Sequence, residues 1–228
     1  MTVSPLNLVV LDMAGTTVAD GGLVEEAFAA AARALDTEPD ERMLAHVRAT
    51  MGESKISVFR HLFGDETRAR RANSAFEEAY GKLVAGGRIA PVPGAADAIA
   101  ELAAQGRTVV LTTGFARVTQ DAILDALGWR DLVALTLCPA DTDGGRGRPH
   151  PDMVLAALLR TGAADAVQDV AVAGDTTYDM LSGVRAGARV VAGVLTGAHG
   201  ADALREAGAT HVLGSVAELP GLLARVDA

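Results

Sequence analysis

The chain has 228 residues, half of them hydrophobic, a single cysteine and a formal net charge of −9. A lone Cys138 excludes an internal disulfide, the acidic balance argues against nucleic acid as a partner, and no apolar run nears the ~20 residues of a membrane span. With no basic start and no apolar leader at the N-terminus, a soluble cytoplasmic protein is expected. An anionic small-molecule substrate stays open, because local charge in a cleft can oppose the net field.

In chain order, the first strand-like run is Leu6–Leu11, which ends at Asp12. From Leu23 to Gly86 only helical periodicity appears, over Leu23–Leu35, Glu41–Met51, Ser54–Leu62 and Glu66–Val84. Turn-rich segments bracket that stretch, Asp20-Gly21-Gly22 before it and Gly86 to Gly94 after it. Short apolar runs then alternate with alanine-rich amphipathic stretches. The runs are Thr108–Leu111, Leu132–Leu137, Val170–Ala173, Val190–Val194 and Thr210–Leu213. The helical stretches are Ala95–Gln105, Arg117–Leu127, Met153–Leu159 and Ala201–Ala207. Alternation of this kind, with nearly continuous apolar strands, predicts an α/β fold whose parallel sheet is covered on both faces. The expected division is a Rossmann-like core of residues 1–18 and 92–228 with an all-helical cap, 19–91, inserted after the first strand. Asp141–Arg148 is a second Gly-rich loop.

Ligands of open parallel sheets bind beyond the carboxyl ends of the strands. Asp12, Thr112 with Thr113, and Asp175 with Asp179 stand there, and Arg148 lies in Arg-Pro-His-Pro-Asp. An isolated aspartate at a strand end usually caps a helix or forms a turn. Asp12, Asp175 and Asp179 together supply hard oxygen ligands suited to Mg²⁺, which binds through few carboxylates plus substrate phosphate. Thr113 can donate to a phosphoryl oxygen and Arg148 can neutralise one. Gly15 and Gly114 let backbone amides approach an anion closely.

Lys55 is one of two lysines in the chain and shares an apolar helical stripe with Val58, Phe59 and Leu62. An amine held against apolar neighbours loses hydration and its pKa falls from ~10.4 toward neutrality, which suits a Schiff-base lysine. A lysine whose stem covers apolar surface while its ammonium reaches water fits the same spacing.

Asp12-Met13-Ala14-Gly15-Thr16-Thr17, Thr112-Thr113-Gly114, Arg148-Pro149 and Gly174-Asp175-Thr176-Thr177-Tyr178-Asp179 resemble the four motifs of the haloacid dehalogenase superfamily, in family order and over nearly the whole chain. The resemblance implies strand order 5-4-1-2-3, Mg²⁺ held by Asp12, Ala14, Asp175 and Asp179, and Asp12 as the nucleophile that takes up a phosphoryl group. Phosphatases of this type carry a second aspartate where this chain has Ala14, and loss of a placed acid–base costs ~10²–10⁴ in rate. The Asp-x-Ala-Gly-Thr form, arginine at 148 and Met51-Gly52-Glu53-Ser54-Lys55-Ile56 are similar to phosphonoacetaldehyde hydrolases, which cleave a C–P bond through a cap lysine.

That likeness implies catalytic roles for Asp12, Lys55, Thr113 and Arg148. It implies substrate contacts at Gly15, Thr16, Met51, Gly52, Thr112 and Gly114, and a homodimer pairing through the cap. The substrate expected is a carbonyl phosphonate, with a small phosphate ester as the alternative. Departures lie around the aldehyde-handling half: Val58 where a histidine is usual, Gly22 for a cysteine, Met13 for tryptophan, Phe115 for tyrosine and Asp152 for tryptophan. His61 and His150 are the histidines to weigh as replacements.

Overall fold

Leu8–Asp12 (β1) has no polar residue before its last position and is buried along its whole length, as a strand with layers on both faces must be. It belongs to a computed structural model that describes residues 4–228. Val18–Ala19 (β2) follows at once and pairs antiparallel with Ala90–Pro91 (β3). Between them run four helices, Leu23–Arg33 (α1), Glu41–Ala49 (α2), Lys55–Phe63 (α3) and Glu66–Ala85 (α4). After β3 come Ala95–Ala104 (α5), Thr108–Thr112 (β4), Arg117–Leu127 (α6), Leu135–Leu137 (β5) and Asp152–Thr161 (α7). Val170–Gly174 (β6), Thr177–Ala186 (α8), Val190–Val194 (β7), Ala201–Glu206 (α9), His211–Leu213 (β8) and Leu219–Val226 (α10) complete the chain.

The main sheet is parallel throughout, in the order β5-β4-β1-β6-β7-β8. Its first five strands in chain order therefore lie 5-4-1-2-3, as expected, and β8 adds a sixth outside the fifth. Asp12 and Thr112 are direct partners across the β1–β4 ladder, so both side chains reach the same sheet edge.

The helical insert packs around an aromatic cluster that is continuous with the apolar core of the sheet layer. Phe28 stacks on Phe59 at 5.3 Å, and Phe76 and Tyr80 continue the cluster from α4. Phe115, in the loop after β4, packs into it at 4.8 Å from Tyr80 and 6.2 Å from Phe76. Aromatic contacts of this kind add to the burial of large apolar area, so the insert rests on the loop that carries Thr113 and Gly114.

Three sequence expectations need correction. The Leu132–Leu137 run is a strand only from Leu135, because Leu132 closes a turn onto the Trp129 carbonyl. Helices α8 and α10 were not expected: α8 begins with polar residues and holds Gly183, and α10 is only eight residues long. The β2–β3 pair was not foreseen, since two residues are too few to show a strand period. The Leu23–Gly86 stretch, expected to be helical throughout its periodic segments, is so.

Candidate active site

Asp12 ends β1, and the chain then turns sharply. The amides of Thr17 and Val18 donate to the Met13 carbonyl, and Gly15 sits at φ +87°. A Cβ at Gly15 would lie 2.4 Å from an Asp175 carboxylate oxygen, so only glycine lets this turn approach Asp175. Thr16 Oγ1 donates to Asp175 Oδ1 at 3.0 Å, and Thr17 Oγ1 donates to the Asp12 carbonyl at 2.9 Å. From the loop after β7, the Ala198 amide donates to Asp175 Oδ2 at 2.8 Å.

Asp179 is fixed by the start of α8. Its carboxylate accepts from the Thr176 amide at 3.0 Å while the Thr176 hydroxyl accepts from the Asp179 amide, a reciprocal capping box. Oxygens of Asp12, Asp175 and Asp179 lie within 4.8 Å of one another, all three residues buried. Burial raises the Asp12 pKa well above the ordinary carboxylate value, and the Arg148 charge works against that rise. Asp175 is pushed up to about 7, by burial first and then by the Asp179 charge. Crowded carboxylates with raised pKa values are the electrostatic mark of a cation site. Ala14 has no side-chain ligand, so any contribution from that position comes from its carbonyl.

Arg148 is the buried counter-charge. Its Nη1 lies 2.6 Å from Asp12 Oδ1 and its Nε 2.9 Å from Asp179 Oδ1, while Nη2 donates to Thr112 Oγ1 at 2.8 Å. Nη1 makes no well-angled hydrogen bond among the described residues. A buried guanidinium beside the Asp12 carboxylate can also neutralise an anion brought to that carboxylate. Burial opposes its charge, yet Asp12 and Asp179 leave its pKa raised.

The cap delivers the remaining groups. Lys55 is the first residue of α3 and is buried. Its Nζ lies 3.5 Å from the Glu53 carbonyl and 5.5 Å from the centre of the Phe115 ring. Burial lowers its pKa to about 8, with Asp20 and Asp12 acting in the opposite direction. The Met51–Ser54 loop lies against the core, backbone to backbone. A Cβ on Gly114 would stand 2.6 Å from the Glu53 oxygen, and one on Gly52 (φ +86°) would stand 2.7 Å from Thr176 Oγ1.

A cavity of about 450 Å³ joins these parts. Asp12, Ala14, Gly15, Met51, Gly52, Lys55, Thr113, Gly114, Arg148 and Asp175 all line it. Thr16, Thr112 and Asp179 stand behind that surface, bonded to Asp175, Arg148 and the start of α8. Gly22 and Phe115 line the cavity at the positions noted as departures, whereas Val58 is buried in the apolar core away from it.

Neither His61 nor His150 reaches the cavity. His61 instead stacks on His46 at 4.2 Å, and the His150 carbonyl accepts from Ser182. Sequence reasoning also missed Asp20, Glu25, Arg48, Thr176 and the Thr196–Ala198 loop, which line the same space. The Thr-x-x-Asp spacing of a capping box was a usable signal for Thr176. The Ala198 contact is made by backbone and leaves no side-chain signature.

A parallel sheet of this order with this acidic edge defines a Rossmann-like core carrying a helical cap. The sequence pattern of haloacid dehalogenase-like hydrolases matches residues 6–187, and the chain belongs to that family. It is 30% identical over 220 residues to a probable phosphatase, IndB, of Dickeya dadantii, covering 94% of this chain and 92% of that one. It is 25% identical over 266 residues to the phosphonoacetaldehyde hydrolase of Salmonella typhimurium, covering 98% and 96%. Among solved structures, a phosphonoacetaldehyde hydrolase-like protein from Oleispira antarctica superposes with a TM-score of 0.85 at 25% identity, over 99% of this chain and 94% of that one.

Proposed function

We propose that the chain is a Mg²⁺-dependent phosphonatase-like hydrolase that cleaves the C–P bond of phosphonoacetaldehyde or a related carbonyl phosphonate. One observation carries the reading: a buried lysine with its pKa lowered to about 8 faces the same cavity as Asp12, Thr113 and Arg148, while position 14 offers no acid. A C–P bond breaks heterolytically only when carbon can hold the electron pair. At about pH 8 half of the Lys55 amine is neutral and able to attack a carbonyl, giving an iminium that serves as the sink.

Asp12 then attacks phosphorus. The C–P electron pair moves into the iminium to leave an enamine, and the phosphoryl group becomes an aspartyl phosphate. Arg148 and Thr113 offset charge on the phosphoryl oxygens. Mg²⁺, held by Asp12, Asp175, Asp179 and the Ala14 carbonyl, supplies further charge neutralisation when bound. Carbon leaves as an enamine, which takes a solvent proton at carbon, so no acid is needed at position 14. Water hydrolyses the aspartyl phosphate and the iminium. The Met51–Ser54 loop lies over Gly114 and Thr176 and shields these intermediates.

Phosphate release from phosphonoacetaldehyde with Mg²⁺, measured for wild type beside Lys55→Arg, tests the reading. Turnover by wild type and a loss of at least ~10³-fold in the variant are expected, because arginine forms no imine. A second reading, a capped phosphatase of a small ester, is favoured by the name of the Dickeya relative. It gains if a phosphate ester is hydrolysed equally well by wild type and Lys55→Arg.

A further inference from the structure

Imine chemistry moves protons, and among the described residues no histidine lines the cavity to move them. The titratable groups that do line it divide by commitment. Asp12 and Asp175 belong to the phosphoryl end, with Arg148 in contact with Asp12. Glu25 is locked by Arg48, whose Nε and Nη2 each donate to it at 2.9 Å. That leaves Asp20. Its carboxylate oxygens accept only from the amides of Gly22 at 3.1 Å and Val24 at 3.3 Å, and no side chain among the described residues pairs with it.

Asp20 stands between β2 and α1, half-buried, at the entrance to the cap. Its charge acts on Lys55 more strongly than that of Asp12 does. Burial raises its pKa, with its two backbone donors pulling the other way, so its acid form persists further toward neutrality than that of an exposed aspartate. The other groups whose charge bears on this corner are Lys55 and Glu25. The buried Tyr80 hydroxyl, which itself feels Asp20, makes no hydrogen bond among the described residues. Gly21 and Gly22 follow Asp20 with open space where side chains would stand.

We propose that Asp20 is the proton carrier for iminium formation and hydrolysis at Lys55. The inference rests on the Schiff-base reading of that lysine. In the forward step the neutral carbinolamine forms from amine and carbonyl, and Asp20 in its acid form protonates the carbinolamine oxygen. The C–O bond breaks with loss of water, the nitrogen lone pair forms the C=N bond, and Asp20 is left as carboxylate. In the last step Asp20 takes a proton from the water that adds to the iminium carbon, which restores the acid and the carbinolamine.

Borohydride trapping reads this step without C–P cleavage. Acetaldehyde is the probe, and ethylation of Lys55 is followed by peptide mass spectrometry in the full-length, Mg²⁺-loaded protein. Wild type is expected to be ethylated at Lys55 and Asp20→Asn at least tenfold more slowly, since a placed general acid is worth ~10²–10⁴ in rate. Acetate added to Asp20→Ala is expected to speed trapping at least tenfold, which a merely structural role would not produce. Equal trapping rates in wild type and folded Asp20→Asn overturn the proposal and leave the imine reading standing. No ethylation of wild-type Lys55 overturns both. If Asp20→Asn loses its native circular dichroism, Asp20→Glu decides: trapping within threefold of wild type supports proton transfer, and trapping slowed tenfold or more in folded protein overturns it.

Discussion

In the proposed chemistry Lys55 carries the carbonyl group, and its titration has a defined sign. Only the neutral amine is a nucleophile, so the rate at which acetic anhydride acetylates Lys55, a reaction that needs no general acid, is expected to fall about tenfold for each pH unit below about 8 and to level off above it, as followed by mass spectrometry across pH 6–10. The same shift leaves a mark on stability. Because the folded chain holds this proton less tightly than the unfolded chain, whose lysine titrates near 10.5, unfolding takes up a proton across pH 8 to 10.5, and this group makes stability rise with pH there. At residue scale the sequence was legible where chemistry needs a particular side chain: Asp12, Thr113, Arg148, Asp175 and Lys55 were all expected in one site and the structure brings them together. Asp20 was not, because an aspartate beside two glycines looks like an ordinary turn former. Only the fold shows that it faces the lysine's cavity.

At the scale of elements, the contact between cap and core depends on glycines that sit against backbone and short side chains. Gly114 faces the carbonyls of Gly52 and Glu53, which cannot swing aside as a flexible side chain can. Gly114→Ala is therefore expected to hold the Met51–Ser54 loop off the core and lower kcat/KM about 100-fold, the cost of roughly 1 Å of misplacement. Its Tm should move little, since the methyl meets only a loop; steady-state kinetics beside thermal denaturation checks both. The missed helix α8 shows where periodicity fails. Its buried face includes Ser182 and Gly183, and a Cβ on Gly183 would come within 3.1 Å of Val191. Close packing on the sheet has removed the apolar side chains that a hydrophobic stripe would display. The capping pair Thr176 and Asp179 was the surviving signal, and of the two only Asp179 is singled out by the sequence, as a metal ligand rather than a helix start.

Across the whole molecule, the three clustered carboxylates come from β1, the turn after β6, and α8. A cation that binds them ties those elements together and is linked to global unfolding. Added Mg²⁺ is expected to raise Tm, by the equivalent of about 2.7 kcal/mol at one hundred times its Kd, and the gain should vanish in Asp175→Asn; calorimetry with and without chelator checks it. The parallel sheet itself was legible because buried strands are apolar throughout, whereas its second, two-stranded sheet was not.

That small sheet has a broader meaning. Val18–Ala19 and Ala90–Pro91 lie side by side, so the chain leaves the sheet layer and returns to it through adjacent doors. A segment whose two ends already touch behaves as a cassette. Recombination can exchange it for one of another length without moving β1, which holds Asp12, or the loops that hold Arg148 and Asp175. Descendants of such a chain can keep one way of handling phosphorus while trying many organic partners, each introduced by a single splice.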